Sequence, residues 1–270
     1  MTPPFVSLDA ARSAGGVLAD VRWYLDGRSG RAAYDAGHLP GAVFVDLEQV
    51  LAGPPSPDAG RHPLPDPERF AEGLGALGIG EDDLVVAYDD AGGVIAARLV
   101  YLLRITGHDA ALLDGGLLGH DGPLTSVPTV LAPKPFAPRP WPAAAIAPIE
   151  AVVSGDAVVI DARDASRFSG EVEPVDPRAG HIPGAKSLPC RDHLDEHGRL
   201  HPAAQLLARL SAVGIERPET PVISYCGSGV TACHNLLVLE HLGFSNTRLY
   251  PGSWSHYSWR SDLPVATGEA

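Results

Sequence analysis

Val222-Ile223-Ser224-Tyr225-Cys226-Gly227-Ser228-Gly229-Val230-Thr231-Ala232-Cys233-His234 is the stretch whose reading decides the fold. Val222 to Tyr225 is rich in strand formers. Gly227 and Gly229 bracket Ser228 in a tight loop, which lets several backbone N–H groups turn inward. Thr231 to Leu239 then reads as a helix stopped by Gly243. A cysteine placed after a strand, among converging N–H dipoles at a helix N-terminus, is favoured as a thiolate. Cys226 is therefore the candidate nucleophile.

Working outward, the chain repeats itself. Val17-Leu18-Ala19-Asp20-Val21 reads as a strand, followed by Gly37-His38-Leu39-Pro40-Gly41-Ala42 and the apolar run Val43-Phe44-Val45. Val158 to Arg163 and Gly180-His181-Ile182-Pro183-Gly184-Ala185 give the same order again. Phe70, Leu74 and Leu77 place a helix over 67–77, and Pro202 to Val213 its counterpart. Strands are expected at 84–88 and 110–113 in the first copy, and at 222–225 and 247–250 in the second. A helix is expected over 94–105. Self-similarity on this scale means two copies of one α/β domain, and the alternation predicts a mostly parallel sheet flanked by helices. The expected boundaries are 1–120, a proline-rich connector over 121–148 holding eight prolines, and 149–270. Aligning the copies sets Asp89 of Val86-Ala87-Tyr88-Asp89 against Cys226, so one copy is expected to be active and the other silent.

Composition narrows the partners. A chain of 270 residues, 45% apolar and 20% charged, is expected to be globular. A formal net charge of −13 argues against a nucleic-acid partner, although a local arginine pair can still receive a small anion. Three scattered cysteines make no disulfide framework. The N-terminus shows no basic region followed by an apolar core, and no apolar run is long enough for a membrane span. A cytoplasmic protein without a membrane partner is the expectation.

The paired Gly-His-Ile/Leu-Pro-Gly-Ala turns, Asp161-Ala162-Arg163, and Cys226-Gly227-Ser228-Gly229-Val230-Thr231-Ala232-Cys233-His234 together resemble the tandem rhodanese-type sulfurtransferases over nearly the whole chain. The resemblance implies two rhodanese-like domains, the second catalytic. It implies transfer of sulfur through a persulfide on Cys226, with no metal and no cofactor. The Cys-Gly-Ser-Gly-Val-Thr text matches the 3-mercaptopyruvate type, whereas thiosulfate-type members carry basic residues there. Thiosulfate:cyanide transfer and a low-turnover sulfur-relay module are the alternatives. The implied partners are a small anionic sulfur donor and a thiol, thioredoxin or cyanide acceptor.

By the same resemblance, Arg167 and Arg178 bind the donor, alongside Gly227, Gly229, Val230 and Thr231. Around Arg178 this chain departs from the pattern, with Val175-Asp176 where the family has one glutamate. Ser228 is expected to hydrogen-bond the donor or shuttle a proton, with Glu48 and His62 as proton-transfer partners. Asp161 and Arg163 are expected to support the site from behind. His38 and His181 read as turn-fixing residues, and Cys190 and Cys233 as packed thiols. Two further motif matches are accidental. Gly73-x-Gly75-x-x-Gly78 ends a helix instead of opening one, and His193-x-x-Glu196-His197 has Gly198 and Pro202 where a long helix would be needed.

Overall fold

The computed structural model describes residues 1–268. Two compact units emerge. Unit 1 comprises Met1–Gly53, Leu64–Trp141 and Glu196–Leu200; unit 2 comprises Pro54–Pro63, Pro142–Asp195 and the chain from His201 onward.

Unit 1 holds β1 (Phe5–Val6), β2 (Val17–Asp20), β3 (Val43–Phe44), β4 (Val85–Tyr88) and β5 (Ala110–Leu113) in the order β1-β5-β4-β2-β3, all pairs parallel. Unit 2 holds β6 (Val158–Asp161), β7 (Lys186–Ser187), β8 (Val222–Tyr225) and β9 (Thr247–Leu249) in the order β7-β6-β8-β9, again all parallel. A single parallel bridge from Ile146 to Leu249 stands where β1 stands in unit 1. The apolar runs that predict these strands are buried along β4, β5 and β8, as a sheet covered on both faces demands. Helices form at Pro67–Ala76, Ala97–Ile105, Ala203–Ala212 and Ala232–His241, within a few residues of their expected bounds. Asp66 caps the first of these by accepting from the N–H groups of Glu68 and Arg69, with Pro67 at its first position. Gly78 follows that helix at φ +80°, which fits a helix stop and not a nucleotide loop.

The repeat extends to single atoms. In unit 2, Asp161 lies beside Tyr225 across β6 and β8, and the Arg163 guanidinium grips Asp161 at 2.6 Å while donating to the Gly180 carbonyl at 2.7 Å. In unit 1, Asp20 lies beside Tyr88, and Arg22 grips Asp20 at 2.7 Å while donating to the Gly37 carbonyl at 2.8 Å. His38 stacks on Tyr34 and His181 on Phe168, both at 3.7 Å between ring centroids. Each histidine holds the carbonyl of the ring it stacks on, at 2.8 Å through Nδ1. The turn histidines thus fix the chain where the sequence expects them to.

The proline-rich segment packs as well as connects. Its residues 121–141 lie along unit 1 because their apolar and polar groups find partners there. Phe136 and Trp141 meet Phe70 edge-on, the Trp141 indole donates to the Pro65 carbonyl at 2.8 Å, and the Lys134 amide donates to the Gly75 carbonyl. Unit 2 is centred on Trp254, which is fully buried among Tyr225, Phe168, Ile223 and Tyr257. Its burial contributes about 2–3 kcal/mol, and it also anchors the segment behind the cysteine loop.

Candidate active site

Cys226 follows β8, which lies inside its parallel sheet between β6 and β9. The carboxyl ends of such strands are where α/β sheets place their ligands. Two neighbours fix the cysteine backbone. Its N–H donates to Ser253 Oγ at 3.1 Å, and its carbonyl accepts the Trp254 N–H at 2.9 Å. Ser253 has φ +51°, the only positive value at a non-glycine among the described residues. That conformation costs about 1 kcal/mol or more, and here it aims the serine hydroxyl at the nucleophile's amide.

The loop then turns over the sulfur. The Gly229 N–H donates to Cys226 Sγ at 3.1 Å. Gly229 takes φ +77°, and a Cβ there would lie 2.5 Å from the Pro251 carbonyl oxygen, so only glycine fits. Val230 and Thr231 lead into the helix, and their carbonyls accept the Cys233 and His234 amides. Cys226 is buried, as are Cys190 and Cys233. Burial pushes the Cys190 thiol up to about 12, leaving it protonated. Cys233 donates its thiol to the Gly229 carbonyl at 3.3 Å.

The equivalent loop of unit 1 shows what such a turn receives. The fully buried Asp89 carboxylate accepts the N–H groups of Ala91 and Gly93 on one oxygen, and those of Ile95 and Ala96 on the other, all at 2.7–2.8 Å. Burial pushes this carboxyl up, against the pull of the four amides. The loop is a cradle for an anion.

The segment 54–63 supplies His62 to unit 2. Its Nδ1 stands 2.8 Å from Ser228 Oγ, and both side chains are buried. The segment is held by the Arg61 N–H, which donates to Ser255 Oγ at 2.9 Å, while the Ser255 N–H donates to the Gly227 carbonyl at 2.8 Å. Gly60 at φ +90° lets its backbone approach Gly252. The structure thus brings together Cys226, Ser228, His62, Gly227 and Gly229. Glu48 lies in unit 1 on the helix Leu47–Val50, where its carboxylate accepts the Trp23 indole N–H at 3.0 Å.

Arg167 and Arg178 part company. Arg167 stands beside Gly227, with its Nη1 3.3 Å from where a Cβ on Gly227 would lie. It is held by Glu173 at 2.6 Å and Asp176 at 3.2 Å. Arg178 corrects the expectation. It donates to the carbonyls of Ser258, Leu263, Tyr257 and Arg260 at 2.7–2.9 Å, so its guanidinium is spent pinning the C-terminal segment. The physical reason is that the turns after Tyr257 bring four carbonyls within reach of Arg178, two of which, those of Tyr257 and Arg260, also accept backbone N–H groups within those turns.

Asp161 and Arg163 lie behind the site, both buried, with Arg163 also donating to Glu173 at 3.3 Å and stacked over Trp254 at 4.7 Å. Sequence reading missed Arg61, Glu173, Asp176 and Ser253. The available signals were Arg61 adjoining His62, and acids interleaved between two candidate arginines in Glu173-Pro174-Val175-Asp176. Among the described residues, no group of three or more His, Cys, Asp or Glu side chains is arranged to hold a metal, and no helix is long and apolar enough to cross a membrane.

Comparison with known proteins agrees with this geometry. The rhodanese-like domain family matches residues 7–120 and again 149–259. A Pseudomonas aeruginosa protein named "Probable 3-mercaptopyruvate sulfurtransferase" is 43% identical over 263 residues, covering 94% of this chain and 93% of that protein. "Thiosulfate/3-mercaptopyruvate sulfurtransferase 1, mitochondrial" of Arabidopsis thaliana is 32% identical over 293 residues, covering 94% and 74%. Among solved structures, the 3-mercaptopyruvate sulfotransferase SseA of Escherichia coli superposes with a TM-score of 0.81 at 33% identity, covering 94% of this chain and 100% of that one. With two parallel-sheet units built on one repeated pattern, and a cysteine loop in the second, the chain belongs to the rhodanese-like family.

Proposed function

We propose that this chain is a sulfurtransferase that takes sulfur from 3-mercaptopyruvate onto Cys226 and passes it to a thiol or cyanide acceptor. The observation that carries the reading is the loop itself. A buried sulfur receives an N–H from Gly229, and a Ser228–His62 pair stands at the next position but one.

In the first half-reaction the Cys226 thiolate attacks the donor sulfur. The new S–S bond forms as the donor S–C bond breaks, and its electron pair leaves as the enolate of pyruvate. The proton lost from the donor thiol ends on the pyruvate methyl group; the 2.8 Å contact between His62 Nδ1 and Ser228 Oγ supports the Ser228 hydroxyl as its carrier. The inward N–H groups of the loop receive the charge on the outer sulfur of the persulfide. In the second half-reaction an acceptor thiolate or cyanide attacks that outer sulfur, and the Cys226 thiolate is released. No metal or external redox partner enters the balance.

Mass spectrometry after one equivalent of donor tests the reading. The wild-type chain gains one sulfur atom on Cys226 and loses it to cyanide; Cys226→Ser gains none. Ser228→Ala is expected to slow uptake about 100-fold, within the usual range for a lost proton-transfer group. Steady-state kcat/KM is expected to be higher for 3-mercaptopyruvate than for thiosulfate, and the reverse order would overturn the donor. Full transferase activity in Cys226→Ser would overturn the mechanism. Sulfur uptake without turnover would replace the enzyme reading by that of a sulfur relay.

A further inference from the structure

We infer that Arg61, on the segment Pro54–Pro63, is the second donor-binding arginine and forms with Arg167 a two-guanidinium clamp that selects an anionic sulfur donor. The inference rests on the sulfurtransferase reading above and assigns the residue that reads the donor's charge.

The clamp is located by the glycine that follows the nucleophile. A methyl group on Gly227 would meet Arg167 Nη1 and Arg61 Nη2, each at 3.3 Å, and nothing else as near. Two guanidinium ends therefore converge on the residue next to Cys226. Both are held from behind. Asp176 accepts from Arg61 Nη1 at 3.0 Å and from Arg167 Nη2 at 3.2 Å, and Glu173 accepts from Arg167 Nη2 at 2.6 Å.

Of the N–H groups that remain, those on Arg61 Nη2 and Arg167 Nη1 lie toward Gly227. Arg61 Nε and Arg167 Nε are buried and have no hydrogen-bond partner among the described residues. Among the described residues, no acceptor meets Arg61 Nη2 or Arg167 Nη1 either; the carboxylates take Nη1 of the first and Nη2 of the second. Buried N–H donors left unpaired are costly in a native structure, and they are explained when an anion supplies the missing acceptors. A planar carboxylate next to a carbonyl, as in an α-keto acid, matches two guanidinium edges better than it matches a point charge.

The clamp is one end of a longer chain of ion pairs. Arg61, Arg167 and Arg163 alternate with Asp176, Glu173 and Asp161 in a chain of ion pairs that is neutral as a whole. The acids orient the arginines without filling the face toward Gly227. Arg178, the sequence-based candidate for this task, has four of its five N–H groups on backbone carbonyls.

The test uses the full chain with Arg61→Met, and two readouts. The first is steady-state kinetics with 3-mercaptopyruvate. The second is competitive inhibition by pyruvate, which keeps the carboxylate and carbonyl but has no sulfur to transfer. Arg61→Met should raise both KM and the pyruvate inhibition constant about tenfold or more, the usual cost of a lost charge-assisted hydrogen bond.

Unchanged KM and pyruvate inhibition in an Arg61→Met chain that still loads sulfur on Cys226 would overturn the clamp and leave the sulfurtransferase reading standing. Failure of the wild-type chain to load sulfur from 3-mercaptopyruvate would overturn that reading instead. Where Arg61→Met does not fold, Arg61→Gln decides by the same two constants, since it keeps a donor toward Asp176 and removes the charge.

Discussion

Asp89→Asn tests whether the loop after the central strand is built around an anion. In the wild-type chain each carboxylate oxygen of Asp89 receives two amide N–H groups, from Ala91 and Gly93 and from Ile95 and Ala96. Asparagine is nearly isosteric, so packing barely changes, but one oxygen becomes an NH₂ that cannot accept. Two buried N–H groups are then orphaned and face a donor. Each orphaned donor costs about 1–3 kcal/mol, so the pair costs about 4 kcal/mol. Relief of the burial penalty on the charged carboxylate returns part of this, because burial pushes the carboxyl up. The net expectation is a loss of about 3 kcal/mol from unit 1. Urea unfolding gives the free energy, and amide exchange at Ala91, Gly93, Ile95 and Ala96 gives the location. Protection should fall first at the pair that lost its acceptor. A stability within about 1 kcal/mol of wild type, with all four amides still protected, would refute the reasoning. It would also remove the physical basis for treating the Cys226 loop as a cradle for the anionic outer sulfur of a persulfide.

Two further outcomes are expected. Arg178→Ala removes four hydrogen bonds from a charged donor to backbone carbonyls, so it should lower stability by about 3 kcal/mol while KM for 3-mercaptopyruvate stays within about threefold. A raised KM at unchanged melting temperature would return Arg178 to the donor site. The buried rings of His193 and His234 lie 6.2 Å apart, and burial pulls them down to about 4 and about 3. The unfolded chain therefore binds protons that the folded chain refuses. Stability should be full above about pH 6.5 and fall below it, by about 1.4 kcal/mol per pH unit for each histidine, until the folded values are reached. Denaturant midpoints that are flat between pH 7 and 5 would contradict this.

The fold was legible wherever its causes are local. The strand, glycine loop and helix around Cys226 lie within one stretch, and each is set by neighbours in sequence. The repeat made Asp89 visible as the counterpart of Cys226. β1 was not legible, since Phe5–Val6 is too short to show any alternation and exists only because β5 offers it an edge. At the site, the family resemblance pointed to His62, which stands beside Ser228, but not to Arg61 next to it. Its role depends on Asp176, 115 residues away in sequence, and on the space left by a missing side chain at Gly227. Arg178 shows the converse error. Its place in a familiar segment was readable, but the carbonyls that capture it arise from turns some 80 residues later.

The segment Pro54–Pro63 bears on how this molecule can be inherited and taken apart. Duplication of one domain suggests two modules that a gene could lose, swap or express separately. A fragment starting at Pro142 would keep Cys226, Ser228 and Arg167, yet it would lack Arg61 and His62, because those ten residues are encoded within the first copy and belong structurally to unit 2. The seam of the duplication and the seam of the folded unit no longer coincide. A cut at the seam of the duplication would therefore divide the unit that carries Cys226.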